Sequence, residues 1–389
     1  MANALEGVRI IDFTSHLSGP FCTMLLSDMG ADVVKVERPG LGDESRKSAP
    51  YVNGVSAFNM QANRNKRSVV LDLKTEQGRA DCQRLIDSAD VVVENYKPGT
   101  MEKLGFGYEA LKKRNPRLIY TAISGFGQTG PYSHRGGFDL MAQAMSGLMS
   151  ICGEVNGDPL RLPIPISDLT GGMYGALGTL NALYARERTG KGQLVDVSLF
   201  ESALSFSPYE VSGFFATGQR PKRIGATHRN AAPYQNYRTV DGWLALGAAT
   251  QVLWLKFCDE VIKAPDLPKD PRFETNALRI QNNAALSEIV TQYLSKETTG
   301  HWLALLEKAG IPAAPVLAYD EVLNDPHFLA RDQVESVEHP VAGSTKLLRT
   351  PIKFSETPVS IRRPAPTLGQ HTDEVLAELN GAKKKSATR

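Results

Sequence analysis

Residues 163–176 read Pro-Ile-Pro-Ile-Ser-Asp168-Leu-Thr-Gly171-Gly172-Met-Tyr-Gly-Ala. A β-prone run over 163–166 delivers an Asp, adjacent glycines follow, and helix formers continue from 173 to 186. At such a strand-to-helix junction a carboxylate stands beside helix-start N–H groups, whose dipole favours the ionised form at neutral pH. The paired glycines leave room for a ligand backbone or a thioester to come close. Asp is also a preferred N-cap residue, so a reactive carboxylate and a plain helix cap both fit this stretch.

The elements that must position Asp168 alternate. Short β runs are predicted at 8–13, 33–37, 68–73, 91–93 and 118–123, with helices at 21–29, 76–88 and 108–114 between them. Strands alternating with helices of this length imply a parallel sheet covered on both faces. Ligands of such sheets bind beyond the carboxyl ends of the strands. Those ends carry Ser15-His16-Leu17, Glu37-Arg38, Asn95-Tyr96-Lys97 and Ser124-Gly125-Phe126-Gly127. Residues 125–130 match the G-x-G-x-x-G dinucleotide pattern, yet Pro131-Tyr-Ser-His-Arg-Gly-Gly follows where a helix should open. The turn after the first strand lacks the pattern too, which argues against nicotinamide or flavin.

Further on, 138–150 is apolar and helical, 193–199 alternates as a strand, and 201–214 reads as one amphipathic helix. Residues 216–235 are rich in Gly, Pro, Arg and Asn without an apolar period, as in a linker. The following stretch to about 322 holds Trp243, Trp254 and Trp302, with helices at 251–261, 282–294 and 299–309. The expected division is therefore 1–200 for a large domain, 201–236 for a helix and linker, 237–322 for a small α/β domain, and 323–389 for a return to the large one. A last helix falls near 372–379.

Composition excludes several classes. The 389 residues are 42% hydrophobic and 22% charged with a net charge of +2, ordinary for a soluble globular chain. Lys383-Lys384-Lys385 reads as a solvated tail, and the other basic residues are scattered, so no nucleic-acid surface is expected. The four cysteines form no C-x-x-C pair, which fits reduced thiols rather than disulfides or zinc. Without a signal core or a long apolar run, a cytoplasmic protein without a membrane partner is expected.

An ordered set of segments resembles a known family: Leu5-Glu-Gly-Val-Arg-Ile-Ile-Asp-Phe, Gly30-Ala-Asp-Val-Val-Lys-Val-Glu-Arg-Pro-Gly, Asn65-Lys-Arg-Ser, Glu94-Asn-Tyr-Lys-Pro-Gly, Gly125-Phe-Gly-Gln-Thr-Gly-Pro-Tyr, Asp168-Leu-Thr-Gly-Gly, Thr189-Gly-Lys-Gly-Gln and Leu368-Gly-Gln-His-Thr. Together they are similar to the family III CoA-transferases, which include formyl-CoA, carnitine and short dicarboxylate CoA-transferases. The resemblance implies a Rossmann-like large domain built from both chain ends, a smaller α/β domain, and a homodimer of interlocked rings. It implies Asp168 as nucleophile, with helix-start donors at Gly171 and Gly172, and a small-domain loop over 247–251 ending in Gln251 that excludes water. CoA is then a substrate, and no tightly bound cofactor is expected. By resemblance Arg38 and Lys74 meet CoA phosphates or the adenine region, and Leu71 and Leu104 border the base. His16, Leu17, Asn95 and Tyr96 line the approach of the thiol, and Arg135 belongs to the same CoA set. Read alone, the leucines suit a core and Arg38 a surface charge.

Rival readings share the fold. The α-methylacyl-CoA racemases carry a Gly-His-Asp run where this chain has Gly137-Phe138-Asp139. Phenylalanine cannot move a proton, so two-base racemisation is disfavoured. An acyl-CoA-binding protein with a retired site is the other alternative, against which the intact Asp168-Leu-Thr-Gly-Gly stands. Formyl-CoA transferases have Gln where Leu17 stands, which argues against formyl or oxalate. Arg161, His228 and Arg229 are candidates to hold the far carboxylate of a dicarboxylic acid. The run 225–235 is similar to that of members using succinate or glutarate, which makes succinyl-CoA the expected donor.

Overall fold

The computed structural model describes residues 3–386. Its chain forms two compact units, one from the stretches up to Met149, Arg161–Gln219 and from Arg331 onward, the other from Ser150–Leu160 and Arg220–Ala330.

The first unit is built on a six-stranded parallel sheet. Its strands are β1 (Arg9–Asp12), β2 (Asp32–Glu37), β3 (Lys66–Val70), β4 (Val91–Glu94), β5 (Ile119–Ser124) and β6 (Leu194–Ser198). They lie in the order β3-β2-β1-β4-β5-β6 with parallel register throughout. The order reverses between β1 and β4, the switch point at which doubly wound sheets bind ligands. Along the strands, alternate residues go to opposite faces. Ile10, Val33, Val91, Val93, Ile119 and Ile123 join one apolar core. Ile11, Val34, Val92, Tyr120 and Ala122 join the other.

Helices cover both cores. Helix α1 (Ser18–Asp28) follows β1, α2 (Asp139–Met145) follows the loop after β5, α3 (Ile166–Thr189) runs back to β6, and α4 (Leu199–Leu204) follows β6. The last helix, α5 (Thr372–Ser386), buries Val375 and Leu379 in the second core. It extends past the expected 379 and takes in Lys383–Lys385, whose side chains lie outside the described set. The predicted helix 201–214 is broken, because Pro208 opens a new helix, Pro208–Thr217. Among the described residues, no helix is long and apolar enough to cross a membrane.

The second unit has a three-stranded antiparallel sheet, β7 (Tyr234–Arg238), β8 (Trp243–Gly247) and β9 (Ala313–Pro315), packed under helices around Trp254, Phe257 and Trp302. Residues 220–236, read from composition as a linker, go with this unit. Ala232 is buried in its core, and its carbonyl accepts a 2.7 Å bond from Arg279 Nε. The short stretch 150–160 joins it through Gly225 N–H to the Gly153 carbonyl, 3.2 Å.

The run 163–166 forms no strand. Pro163 and Pro165 lack the N–H groups a ladder needs, and Pro165 stands directly before α3 with φ −76°. Asp168 is consequently in the first turn of α3, not at its cap. Gly171 and Gly172 lie a turn deeper, where helical N–H groups are already bonded to carbonyls four residues back, so they are not free oxyanion donors. Their role is close packing. A Cβ on Gly171 would lie 2.5 Å from Leu199 Cδ2, and one on Gly172 would lie 2.5 Å from the Ser18 carbonyl oxygen. Only glycine lets α3 approach α1 so closely. Gly172→Ala should therefore lower the melting temperature by several degrees, since overpacking costs about 1–3 kcal/mol. Gly213→Ala, where an added Cβ meets nothing within 4 Å, should be neutral or stabilising. Equal melting curves for the two variants would contradict this packing account.

Candidate active site

Beyond the strand ends at the switch point lies a cavity of about 320 Å³. Its walls come from the segment after β1 (Ser15, His16, Leu17, Ser18), the segment 95–98 after β4, the end of β5 (Ile123 to Gly125), and residues 135–138. Asp168 and Leu199 close it. Asp168 is the only carboxylate among the described residues that line it.

Each wall is held by identifiable bonds. His16 has a left-handed backbone, φ 65°, a conformation that costs a non-glycine residue energy and needs support. Asp43 supplies it, its Oδ1 accepting from His16 N–H at 3.1 Å and from Ser15 Oγ at 3.2 Å. Asn95 brackets the same loop. Its Oδ1 accepts from Ser15 N–H at 2.8 Å, and its Nδ2 donates to the Ser15 carbonyl at 2.8 Å. Asn95 thus lines the cavity and shapes its facing wall.

Under this loop lies a buried charge network. Lys35 Nζ is 2.8 Å from Asp43 Oδ2 and donates to the Thr14 carbonyl at 2.7 Å. Lys66 Nζ is 3.1 Å from Asp12 Oδ2, and Asp12 also accepts from Thr14 N–H at 2.7 Å and Thr23 Oγ1 at 2.7 Å. Burial alone would raise both carboxyls, but the ammonium groups outweigh it and hold Asp12 and Asp43 below the usual range. Burial brings Lys66 down to about 8.

On the opposite wall the chain doubles back. A Cβ on Gly125 would lie 2.6 Å from Gly137 Cα, so the backbones at 125 and 137 touch and the loop between them is cinched. The next residues carry this contact to α3. Asp139 Oδ1 accepts from Ser167 N–H at 2.9 Å, and its Oδ2 accepts from Gln143 Nε2 at 2.7 Å. Asp139 is therefore the residue that caps the helix of Asp168. Asp168 itself is half-buried, and burial first, then the charge of Asp139, push its carboxyl up to about 7. The expectation of a fully ionised Asp168 at neutral pH is thereby corrected. Desolvation in the cavity exceeds the pull of the helix start.

A neighbouring cavity of about 190 Å³, lined by Arg38, Glu37, Gly42 and Asp43, shares Ser15 and Tyr96 with the first. Arg38 is exposed there and pairs with Glu44. His16, Leu17, Asn95, Tyr96 and Arg135 all line the Asp168 cavity. Leu71 is buried in the second core and Leu104 packs against it, the plain structural role; Lys74 is exposed. Arg161 is exposed, its Nη1 folded back on the Leu162 and Pro163 carbonyls at 3.4 Å, and does not line the cavity. His228, Arg229 and Gln251 belong to the second unit. There Gln251 begins the helix Gln251–Lys256 and accepts from Arg279 Nη1 at 2.9 Å. The sequence reading missed Asp12 and Lys35, although charges inside apolar strand runs are a visible signal, and Asp43, which stands in a loop before Glu44–Lys47 and carries no such signal.

The model of CoA-transferase family III matches residues 5–372. The chain belongs to that family. Among its relatives, the succinyl-CoA:glutarate CoA-transferase of Mus musculus is 39% identical over 376 residues, covering 96% of this chain and 86% of that one. The acetyl-CoA:oxalate CoA-transferase of Acetobacter aceti is 42% identical over 351 residues, covering 90% and 89%. Among solved structures, a CAIB/BAIF family protein from Brucella suis superposes with a TM-score of 0.87 at 36% identity, covering 97% of this chain and all of that one. The family III chain is a CoA-transferase.

The raised Asp168 carboxyl has a sign that can be measured. Its folded value of about 7 exceeds the ordinary 3.8, so protonation favours the fold and the penalty of ionising grows as pH rises from about 4 through 7. Asp168→Asn, which has no charge to bury, should gain stability over wild type across that window, by a few kcal/mol at the plateau above pH 7. Urea unfolding of both proteins at pH 4.5, 6 and 8 checks this. A gap that does not widen with pH would show that Asp168 ionises near its ordinary value.

Proposed function

We propose that this family III CoA-transferase carries CoA from succinyl-CoA to a free dicarboxylic acid, with Asp168 as its nucleophile. The observation that carries this reading is the half-buried Asp168 in the switch-point cavity, with no other carboxylate among the described residues on its walls. The dicarboxylate class is supported by the mouse relative, which is named for succinyl-CoA and glutarate.

The chemistry needs little beyond an ionised carboxylate and two acids that take turns. Asp168 attacks the thioester carbonyl of the donor and expels CoA thiolate, leaving an aspartyl mixed anhydride. The thiolate attacks the Asp168 carbonyl and releases the donor acid, leaving a β-aspartyl-CoA thioester. The acceptor carboxylate attacks that thioester and regenerates an anhydride and thiolate. Attack of the thiolate on the acceptor carbonyl gives the new acyl-CoA and returns the Asp168 carboxylate. Each bond broken is replaced by one formed, and no net proton is exchanged. His16, Leu17 and Tyr96 form the passage for the thiol, and Arg38 in the adjoining cavity is placed to meet a phosphate. Phe138 stands in the cavity wall, at the position where the racemases carry histidine, and cannot relay a proton. The same reading takes CoA as substrate with no resident cofactor, and the chain as a homodimer.

Exchange of CoA from succinyl-CoA and from acetyl-CoA to succinate, glutarate and oxalate, followed by liquid chromatography, tests the assignment. Succinyl-CoA with glutarate should give ping-pong kinetics, and Asp168→Ala should lower kcat by at least about 10³-fold. Because the nucleophile must be ionised and its carboxyl titrates at about 7, kcat/KM should fall about tenfold per unit below pH 7 and level off above it. Preference for acetyl-CoA and oxalate would move the substrate assignment to the other relative's pair. Absence of exchange with every acid would overturn it.

A further inference from the structure

Strands β1 and β4 lie side by side at the switch point, and each ends in an acid that bonds its own chain. On β1, Asp12 accepts from the N–H of Thr14, two residues on, at 2.7 Å. On β4, Glu94 Oε2 accepts from the N–H of Tyr96, also two residues on and also at 2.7 Å. Both acids are buried, but their surroundings differ in charge. Asp12 has Lys66 Nζ at 3.1 Å and Lys35 Nζ at 3.9 Å. The charges that bear on Glu94 are those of Glu102, in the helix Thr100–Leu104, and Asp196 on β6, and no lysine or arginine is among them. The Tyr96 and Tyr120 hydroxyls feel its charge, and Lys35, which bears on Tyr96, is taken up by Asp43 and Asp12. Burial first, then the two acids, push the Glu94 carboxyl up to about 8 against the pull of the Tyr96 N–H. Glu94 therefore carries its proton at neutral pH, as Asp12 does not.

We propose that Glu94, as a neutral acid, is a positioning residue for CoA, holding the Asn95–Tyr96 turn that walls the passage of the thiol. This assignment rests on the CoA-transferase reading above. Glu94 itself lines neither cavity, and it acts through the two residues that follow it. Its bond to the Tyr96 N–H closes the turn. Asn95, inside that turn, makes both 2.8 Å bonds to Ser15 and a further one from Nδ2 to Ser18 Oγ at 3.2 Å. Tyr96 borders both cavities. A half-buried N–H needs an acceptor, but an ionised one here would put an unpaired negative charge behind the passage. CoA leaves the thioester as a thiolate, and like charges in a poorly solvated place repel strongly. The protonated carboxyl accepts the same bond without that field. At Asp12 the two lysines supply the cancellation instead.

The test compares Glu94→Gln and Glu94→Met with wild type. Gln keeps an acceptor and has no charge, whereas Met fills the same length without an acceptor. Calorimetry gives Kd for free CoA, and exchange from succinyl-CoA gives KM for glutarate, or for whichever acid the wild type uses fastest. Glu94→Gln should bind CoA within about threefold of wild type. Glu94→Met should bind it about tenfold more weakly, the effect of removing one partner of a buried hydrogen bond. KM for the acid should move by less than about threefold in both, a split that general loosening of the fold would not give. The charge state is read from stability. The folded carboxyl at about 8 lies above its ordinary 4.5, so ionising it costs the wild-type fold more as pH rises through that window. Glu94→Gln escapes the cost, and its urea midpoint should gain on that of wild type from pH 5 to 6.5 to 8. A Glu94→Gln variant that binds CoA tenfold more weakly than wild type, a Glu94→Met variant that binds it as well, or a urea gap that does not widen with pH would each overturn the proposal. If Glu94→Met does not fold, the Glu94→Gln affinity and the urea gap decide it. Wild type that binds no CoA would instead sink the functional reading on which it rests.

Discussion

The ammonium of Lys35 lies against Asp43 and the Thr14 carbonyl in a place with no solvent, and the Lys66–Asp12 pair lies beside it. Burying such charges is costly unless every one is paired and hydrogen-bonded. Here they are, and the bonds left over on the carboxylates go to the loop between β1 and α1. Asp12 takes Thr14, and Asp43 takes Ser15 and His16. That loop is one wall of the cavity. Removing either lysine would strand a buried carboxylate and release the wall together with the fold, so the network couples stability to site geometry.

The second constraint is steric. Helix α3 carries Asp168 in its first turn and presses its glycine face on α1 and Leu199, where no Cβ fits. The position of the carboxylate relative to the β1 wall is set by backbone contact rather than by flexible side chains. Asp139 completes the frame by capping α3 from the loop after β5. The same residue, with burial, raises the Asp168 carboxyl to about 7. A less stabilised carboxylate is a better nucleophile than a tightly hydrogen-bonded one, so the feature that positions the group also tunes it.

Much of this was legible in the residues. The strands alternate between two cores, and apolar runs such as Val91-Val92-Val93 state that both faces are buried. The cavity at the strand ends follows from that order. The false dinucleotide pattern at 125–130 was exposed by the proline after it, and its first glycine, Gly125, serves the contact with Gly137 instead. Pro163–Ile166 misled because β propensity says nothing about missing donors. The ionisation of Asp168 was misjudged because helix dipoles are local while desolvation depends on residues far along the chain. For the same reason Arg161, close in sequence to Asp168, could not be seen to lie outside its cavity. The boundary of the second unit was hidden because 220–236 has a linker's composition but holds Ala232 in a core through Arg279.

The account turns on a covalent bond at Asp168. Intact-protein mass spectrometry after mixing with succinyl-CoA in the absence of acceptor, followed by peptide mapping, tests it most directly. The account predicts an adduct of the mass of CoA less water on the peptide that contains Asp168, discharged by added glutarate and absent from Asp168→Ala. An active wild-type enzyme that never carries CoA on that peptide, or an Asp168→Ala variant that still does, would contradict it.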